Sequence, residues 1–435
     1  MKLLSLNLYD KASLFGTLDF LRVYWVFQHV SGTVKRLRQG VIMTKESGMR
    51  IGWVSNSPWS PTGYGTQTAQ ATQRLKEIGH DVAIFNNYGL EGANNEWNGI
   101  PVYQRGAEMY SNDVVPAHMH HWSSQNPKQL HFMITLYDVW VFKGPRWADW
   151  NVASWVPIDH IPTPPSVAAW CRQDFVTPIA MSQYGQAMLE NIGIESLYVP
   201  HGIESVFRPM KRHKGTTGRD FIGISDDRFV VGMNAANKGV SPNRKAFGEN
   251  ILAFSMFAQK HDDAILYLHT DQLGALGGIK LMELLSAVGL KEHQFKFIDP
   301  YLYRTGIDQQ TLATIYTAMD VLLATSYGEG FGIPTIEAQA CGTPVIVSEF
   351  AASTELLGDG WLVDGQPLWD APQTAWFHMP SVPRIVESLE AAYERGRGRS
   401  QKAQDFAKDY QADAVFEKHW KPTMKVLESK ALERM

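Results

Sequence analysis

The sequence predicts an α/β chain of two parallel, doubly wound sheets, each flanked by helices. Three observations carry this. Short apolar runs alternate with helical stretches along most of the 435 residues, and that alternation demands parallel strands with helices on both faces. Two of the strand–loop–helix units have glycine-rich loops at a strand's carboxyl end, where open α/β sheets bind ligands. The chain is also too long for one ordinary core and fits two domains of about 150 to 200 residues each.

Residues 1–48 read as an N-terminal extension. Leu14 to Val30 is apolar and aromatic, but Asp19 and Arg22 interrupt it, and it falls short of the roughly 20 residues that a spanning helix needs. No small-residue cleavage site follows, so no secretory signal is expected. Lys35, Arg36 and Arg38 come next. Two readings stay open: a peripheral membrane contact through residues 14–38, or an accessory helix packed on the first domain. The net charge of −4 argues against nucleic acid as the main partner. Cys171 and Cys341 stand far apart and suggest no disulfide framework, which fits a cytoplasmic protein.

The first domain opens with a strand at Ile51–Val54. The loop Ser55–Gly65 leads into a helix from Thr66 to Ile78, with apolar positions 71, 75 and 78 at helical spacing. Val82–Phe85 completes the unit. Gly63 and Gly65 lie in its loop as candidate ligand-binding residues, but Gly63-Tyr64-Gly65 is not a full dinucleotide fingerprint and no acid follows at the ribose position, which disfavours a nicotinamide enzyme. His118, His120 and His121 lack a third metal ligand and read as polar positions of a surface helix. Phe132–Tyr137 is a buried strand with Asp138, a candidate catalytic residue, at its carboxyl end. Ala153–Ile158 ends in Asp159 and His160; either lines the cleft, or Asp159 caps the next turn. Strands at 179–182 and 197–200 follow.

The second domain begins with Phe229–Met233. A loop then reaches Pro242, and a helix is expected from Asn243, with Phe247, Ile251, Phe254 and Ala258 facing the core. Arg244 and Lys245 thus sit at a strand–helix junction, where cations neutralise a diphosphate leaving group. Strands at 264–268, 295–298 and 320–324 continue the sheet, separated by helical stretches near 278–288 and 309–318. Next come the loop 326–332, a helix from Pro334 to Gly342, and a strand at Pro344–Val347. Pro suits a first helical position and Gly a residue just past the end. The free amides of the first turn, with Gly328, Gly330 and Gly332 beside them, make a cradle for a diphosphate. Glu329 and Glu337 bracket it; a carboxylate accepts paired hydrogen bonds from vicinal hydroxyls.

The run Glu329-Gly330-Phe331-Gly332-Ile333-Pro334-Thr335-Ile336-Glu337, followed by Ala338, Ala340, Gly342, Thr343, Pro344, Val345 and Ile346, resembles the Glu-x7-Glu signature of the family 4 retaining, nucleotide-sugar-dependent glycosyltransferases. The resemblance implies the GT-B fold of two Rossmann-like domains with a deep interdomain cleft. It implies that Glu329 binds the donor sugar, that the amides of Gly330, Phe331, Gly332 and Ile333 bind sugar and phosphate, and that Glu337 binds the ribose. The Gly63–Gly65 loop would approach the donor diphosphate. His201 to Pro209 is similar to the family's linker, which implies domains at 49–208 and 209–400 and a C-terminal helix, 401–435, crossing back to the first domain. By the same resemblance the loop after Phe297-Ile298 meets the nucleobase, and Lys245 holds the diphosphate. Met233-Asn234 stands where the family has an arginine, so Arg244 or Lys238 must replace it.

The expected function is retaining, metal-independent transfer of a sugar from a nucleoside-diphosphate sugar, uridine- or guanosine-based, to a hydroxyl acceptor such as a glycan, lipid or protein. No cofactor is required. No Asp-x-Asp occurs to clamp a metal. A non-catalytic nucleotide-sugar-binding scaffold stays open because of the absent arginine. A phosphorylase or epimerase on the same fold and a DNA-glycosylating transferase are minority readings.

Overall fold

The computed structural model describes residues 48–434, so the expectations for residues 14–38 lie outside the described residues. Residues 48–435 form one compact unit holding two parallel sheets. In the first, β1 (Arg50–Ser55), β2 (Asp81–Asn86), β3 (Asn95–Trp97), β4 (Ile100–Tyr103), β5 (His131–Leu136), β6 (Val152–Val156), β7 (Val176–Ala180) and β8 (Leu197–Tyr198) lie in the order β3-β4-β2-β1-β5-β6-β7-β8. Only the β3–β4 pair is antiparallel. After a small ribbon of β9 (Arg212–His213) and β10 (Thr216–Thr217), the second sheet uses β11 (Phe229–Asn234), β12 (Ala264–His269), β13 (Phe295–Phe297), β14 (Val321–Leu323), β15 (Val345–Ser348) and β16 (Gly360–Val363). Their order is β13-β12-β11-β14-β15-β16, all parallel. In chain order that is the doubly wound 3-2-1-4-5-6 arrangement.

Each sheet reverses direction beside its first strand, between β1 and β5 in one and between β11 and β14 in the other. Loops leaving those strands part to opposite faces and open a crevice, which is where such sheets bind ligands. Among the helices, those that bear on the site and the chain's end are α1 (Gly63–Glu77), α2 (Val115–Ser124), α3 (Gln183–Glu190), α4 (Phe247–Ala258), α5 (Gln309–Ala318), α6 (Ile333–Ala340) and α7 (Lys421–Glu433).

Helix α1 starts three residues before the expected Thr66 because Thr62 caps it: its Oγ1 accepts from the Gly65 amide at 3.0 Å. Helix α4, expected from Asn243, starts at Phe247. Ala246 adopts a left-handed backbone, φ 48°, and the Asn243 side chain donates to the Gly239 carbonyl at 2.8 Å. That turn keeps Arg244 and Lys245 off the helix and on its loop. His118, expected on a surface helix, is half-buried between Phe85 and Tyr103, with ring centroids 5.8 and 4.9 Å away.

The chain's end packs on the first sheet. Trp420, at the end of a π-helical turn, meets Trp53 and Trp155 at centroid distances of 5.7 and 5.0 Å, and all three are buried. A hairpin absent from the sequence expectations, β17 (Gly365–Asp370) with β18 (Ala375–Pro380), reaches from the second sheet's side to the first: Ile161 and Trp376 exchange backbone hydrogen bonds of 3.0 and 2.8 Å.

Candidate active site

The two crevices face one another, and the Arg244–Lys245 loop after β11 meets the Glu329 loop after β14 there. Lys245 Nζ donates to Glu329 Oε1 at 2.5 Å, and Arg244 Nη1 to Glu329 Oε2 at 3.2 Å and to the Gly328 carbonyl. Arg244 also reaches across to Asp159, 3.7 Å away, on the loop after β6. The Glu329 side chain is 12% exposed. Burial raises its pKa, but Lys245 and Arg244 outweigh burial and hold it at about 2. Burial lowers the Lys245 pKa and Glu329 only partly restores it, whereas Arg244, facing Glu329, Asp159 and Asp138, is held firmly charged.

Asp138 stands at the carboxyl end of β5, in the same electrostatic field. Burial and then the Asp159 charge push its pKa up to about 6, against Arg244. Three carboxylates and two cations thus share the mouth of the cleft. Among the described residues no group of three His, Cys, Asp or Glu side chains is gathered as for a metal ion.

Glu337 lies apart from these cations. It is buried in α6, and Tyr316 on α5 donates to its Oε2 at 2.8 Å; Asn234 Nδ2 in turn donates to the Tyr316 hydroxyl at 2.7 Å. Burial pushes Glu337 up to about 7, and the Tyr316 hydrogen bond only partly offsets that. Asn234, standing where an arginine was expected, therefore supports the Tyr316–Glu337 pair, and Arg244 is the guanidinium that reaches Glu329.

The glycines allow close packing between loops. A Cβ at Gly330 would lie 2.5 Å from the Pro157 Cβ, and one at Gly328 would lie 2.1 Å from the Asp159 carbonyl oxygen. They admit the β6 loop of the other sheet. Gly65 is packed against Ser57 and Ser60 of its own loop, and Gly63 faces the Ile333 side chain. Phe331 is buried edge-on to His201 and Tyr410, at 5.1 and 5.8 Å, so its ring belongs to the junction between the sheets. Gly332, φ 111°, caps α6. Exposed Lys238 makes no side-chain hydrogen bond among the described residues, yet its charge acts on Asp138.

Sequence reasoning missed the hairpin's contribution. His160 Nδ1 pairs with Asp159 Oδ1 at 2.7 Å and Nε2 with Asp370 Oδ2 at 3.0 Å, while Phe377 stacks on the ring at 3.8 Å. Burial lowers the His160 pKa, but the two carboxylates overcome it and the net shift is upward. His160 thereby fixes Asp159 toward Arg244. The only available signal was the adjacency of Asp159 and His160 at a strand end, since Asp370 lies 210 residues away. Glu355 also bridges the sheets, accepting from the Gln183 and Tyr184 amides of α3 at 3.0 and 2.9 Å. Beside β13 a cavity of about 620 Å³ is lined by Tyr267, Ile298, Asp299 and Leu302. That is the loop from which a nucleobase contact was expected, and none of its lining belongs to the Glu329 cluster.

Residues 235–373 match the family model described as Glycosyl transferases group 1. The D-inositol 3-phosphate glycosyltransferase of Salinispora tropica is 33% identical over 132 residues, 30% of this chain and 24% of that protein. That of Paenarthrobacter aurescens is 30% identical over 195 residues, 42% of each chain. The matched segment spans less than half of either relative. Sucrose-phosphate synthase from Thermosynechococcus elongatus superposes with a TM-score of 0.67 at 15% identity, covering 88% of this chain and 100% of that one. The chain has the GT-B architecture, and its second sheet with the Lys245 and Glu329 loops carries the similarity to group 1 glycosyl transferases.

Proposed function

We propose that the protein is a retaining glycosyltransferase that moves a sugar from a nucleoside-diphosphate sugar to a hydroxyl acceptor, with no metal or cofactor required. The observation that carries this is the convergence of Lys245, Arg244 and Glu329 at the second sheet's switch point, eight residues before Glu337. The match of residues 235–373 to group 1 glycosyl transferases supports the class of reaction. The relatives' printed activity on an inositol phosphate and the expectation of a uridine or guanosine donor leave the donor and acceptor to experiment.

In this reading Lys245 and Arg244 turn from Glu329 to the donor diphosphate, and Glu329, released, accepts hydrogen bonds from the sugar's hydroxyls. Glu337 accepts from the ribose. The acceptor oxygen bonds to the anomeric carbon on the face from which the diphosphate departs. The breaking carbon–oxygen bond leaves its electron pair on the diphosphate, one of whose oxygens takes the acceptor's proton. Lys245 and Arg244 stabilise that growing charge. Closure of the two lobes limits hydrolysis.

A panel of uridine, guanosine and adenosine diphosphate sugars, assayed by calorimetry and by release of free nucleoside diphosphate with and without EDTA, tests the reading. The expected result is one base preferred, slow EDTA-insensitive release, and faster release with acceptor. Binding without release would favour the scaffold reading, and no binding would end both.

A further inference from the structure

Four aromatic rings lead from the cleft to the surface of the first lobe. Tyr64, at the start of α1, feels the charges of both Asp138 and Arg244. Its ring lies 5.6 Å from that of Tyr137, which lies 6.0 Å from Tyr110, which lies 6.3 Å from Trp140. The rings meet tilted or edge to face, at 49°, 70° and 70°, so each step turns a different face outward. Tyr64, Tyr137 and Tyr110 are half-buried, while Trp140 at the end of the row is 42% exposed. Trp140 thus offers an indole to solvent two residues past Asp138. The row's polar atoms are set as well, since Asn87 Nδ2 donates to the Tyr137 hydroxyl at 2.6 Å and leaves that hydroxyl's own proton to give.

We propose that this row is the acceptor platform and that it takes a saccharide, with a pyranose ring laid on the outward faces of Tyr110 and Trp140 and the reacting hydroxyl directed toward Asp138. The assignment deepens the glycosyltransferase reading and rests on it. A pyranose chair has a face of C–H bonds made electropositive by neighbouring oxygens and a rim of hydroxyls. The electronegative face of an aromatic ring suits the first, and the phenols with Asn87 suit the second. An acyl chain would ask for aliphatic walls, and none of the four members is aliphatic. The row is continuous with the crevice holding Asp138 and lies on the lobe opposite Lys245 and Glu337, so acceptor and donor would enter from different sides.

The test is ligand-observed saturation-transfer NMR on the whole chain, with and without added nucleoside diphosphate. The probes are methyl glycosides of glucose, galactose, mannose and N-acetylglucosamine, with 1,2-dioctanoylglycerol as the lipid arm. The expected result is saturation of the ring C–H protons of at least one glycoside, lost in Trp140→Ala and Tyr110→Ala and retained in Trp140→Tyr. With a turnover assay, Trp140→Ala should raise the acceptor KM about tenfold with a smaller change in kcat. Melting curves matching wild type guard against misfolding. Saturation confined to the acyl chains, glycoside saturation that survives both alanine changes, or no saturation by any glycoside would each overturn the platform. Donor binding and hydrolysis, measured separately, would still decide the enzyme reading.

Discussion

Glu329 and Glu337, eight residues apart, are perturbed in opposite directions: one is held near 2 by two cations, and the other is lifted to about 7 by burial beside a phenol. Their tasks should separate in the same way. Glu337→Ala is expected to weaken nucleotide binding about tenfold or more, the worth of a charge-assisted hydrogen bond. Glu329→Ala should lower kcat about 10²-fold with less effect on nucleotide affinity. Calorimetry with the free nucleoside diphosphate and single-turnover assays separate the two, and equal effects would refute the division. Glu337 also makes a pH prediction. Its proton is held more tightly folded, at about 7, than at the ordinary 4.5, so its contribution favours the native state below 4.5 and is lost as pH rises from 4.5 through 7. Glu337→Gln should gain up to about 3 kcal/mol relative to wild type between pH 4.5 and 8 in urea titrations. A flat difference would show Glu337 to be ionised normally. The residues themselves were readable, because spacing and residue type placed Lys245, Arg244 and Glu329 at converging strand ends. What Gly328 and Gly330 make room for was not, because Pro157 and Asp159 come from the other sheet.

At the scale of elements, the β17–β18 hairpin is the part least foreseeable from local pattern. Prolines 367 and 372 and the acid Asp370 suppress strand signals, and what steadies the hairpin is distant: Ile161 along one edge, His160 beneath Phe377. Burial disfavours a charged His160, but Asp159 and Asp370 stabilise its protonated form and the net shift is upward. A histidine with a raised native pKa contributes stability that is fully present below its ordinary value near 6.5 and is lost as pH climbs through the native one. Hydrogen exchange of amides 365–380, corrected for intrinsic rates, should therefore speed up from pH 6 to pH 8 more than that of β11 or β14. His160→Gln should abolish the difference. Exchange with the same pH response in hairpin and sheet would remove His160 from that role. By contrast, the central strands β1 and β6 of the first sheet were readable as short, largely apolar runs, since both are buried along their length. Helix starts were less so: Thr62 and Ala246 set α1 and α4 through cap and backbone geometry that periodicity does not report.

On the scale of the molecule, several tethers join the two sheets: Arg244 to Asp159, Glu355 to α3, the hairpin to Ile161, and the chain's end to the first sheet. Trp420 sits against Trp53 and Trp155 in that last contact. Trp420→Ala should cost about 3 to 5 kcal/mol and lower the midpoint of a single calorimetric transition, whereas two resolved transitions in the wild type would show the sheets to unfold independently. The twofold repetition of the architecture was readable from alternation and length, and the tethers were not, being contacts between residues far apart in the chain, such as Gln183 with Glu355, 172 positions away. The fit of Pro157 over Gly330 bears on engineering. Anyone exchanging one half of this chain for the equivalent half of a distant homologue would have to graft the 157–159 corner together with the 328–330 bend as matched pieces, because a side chain of even one carbon at either glycine would wedge the halves apart.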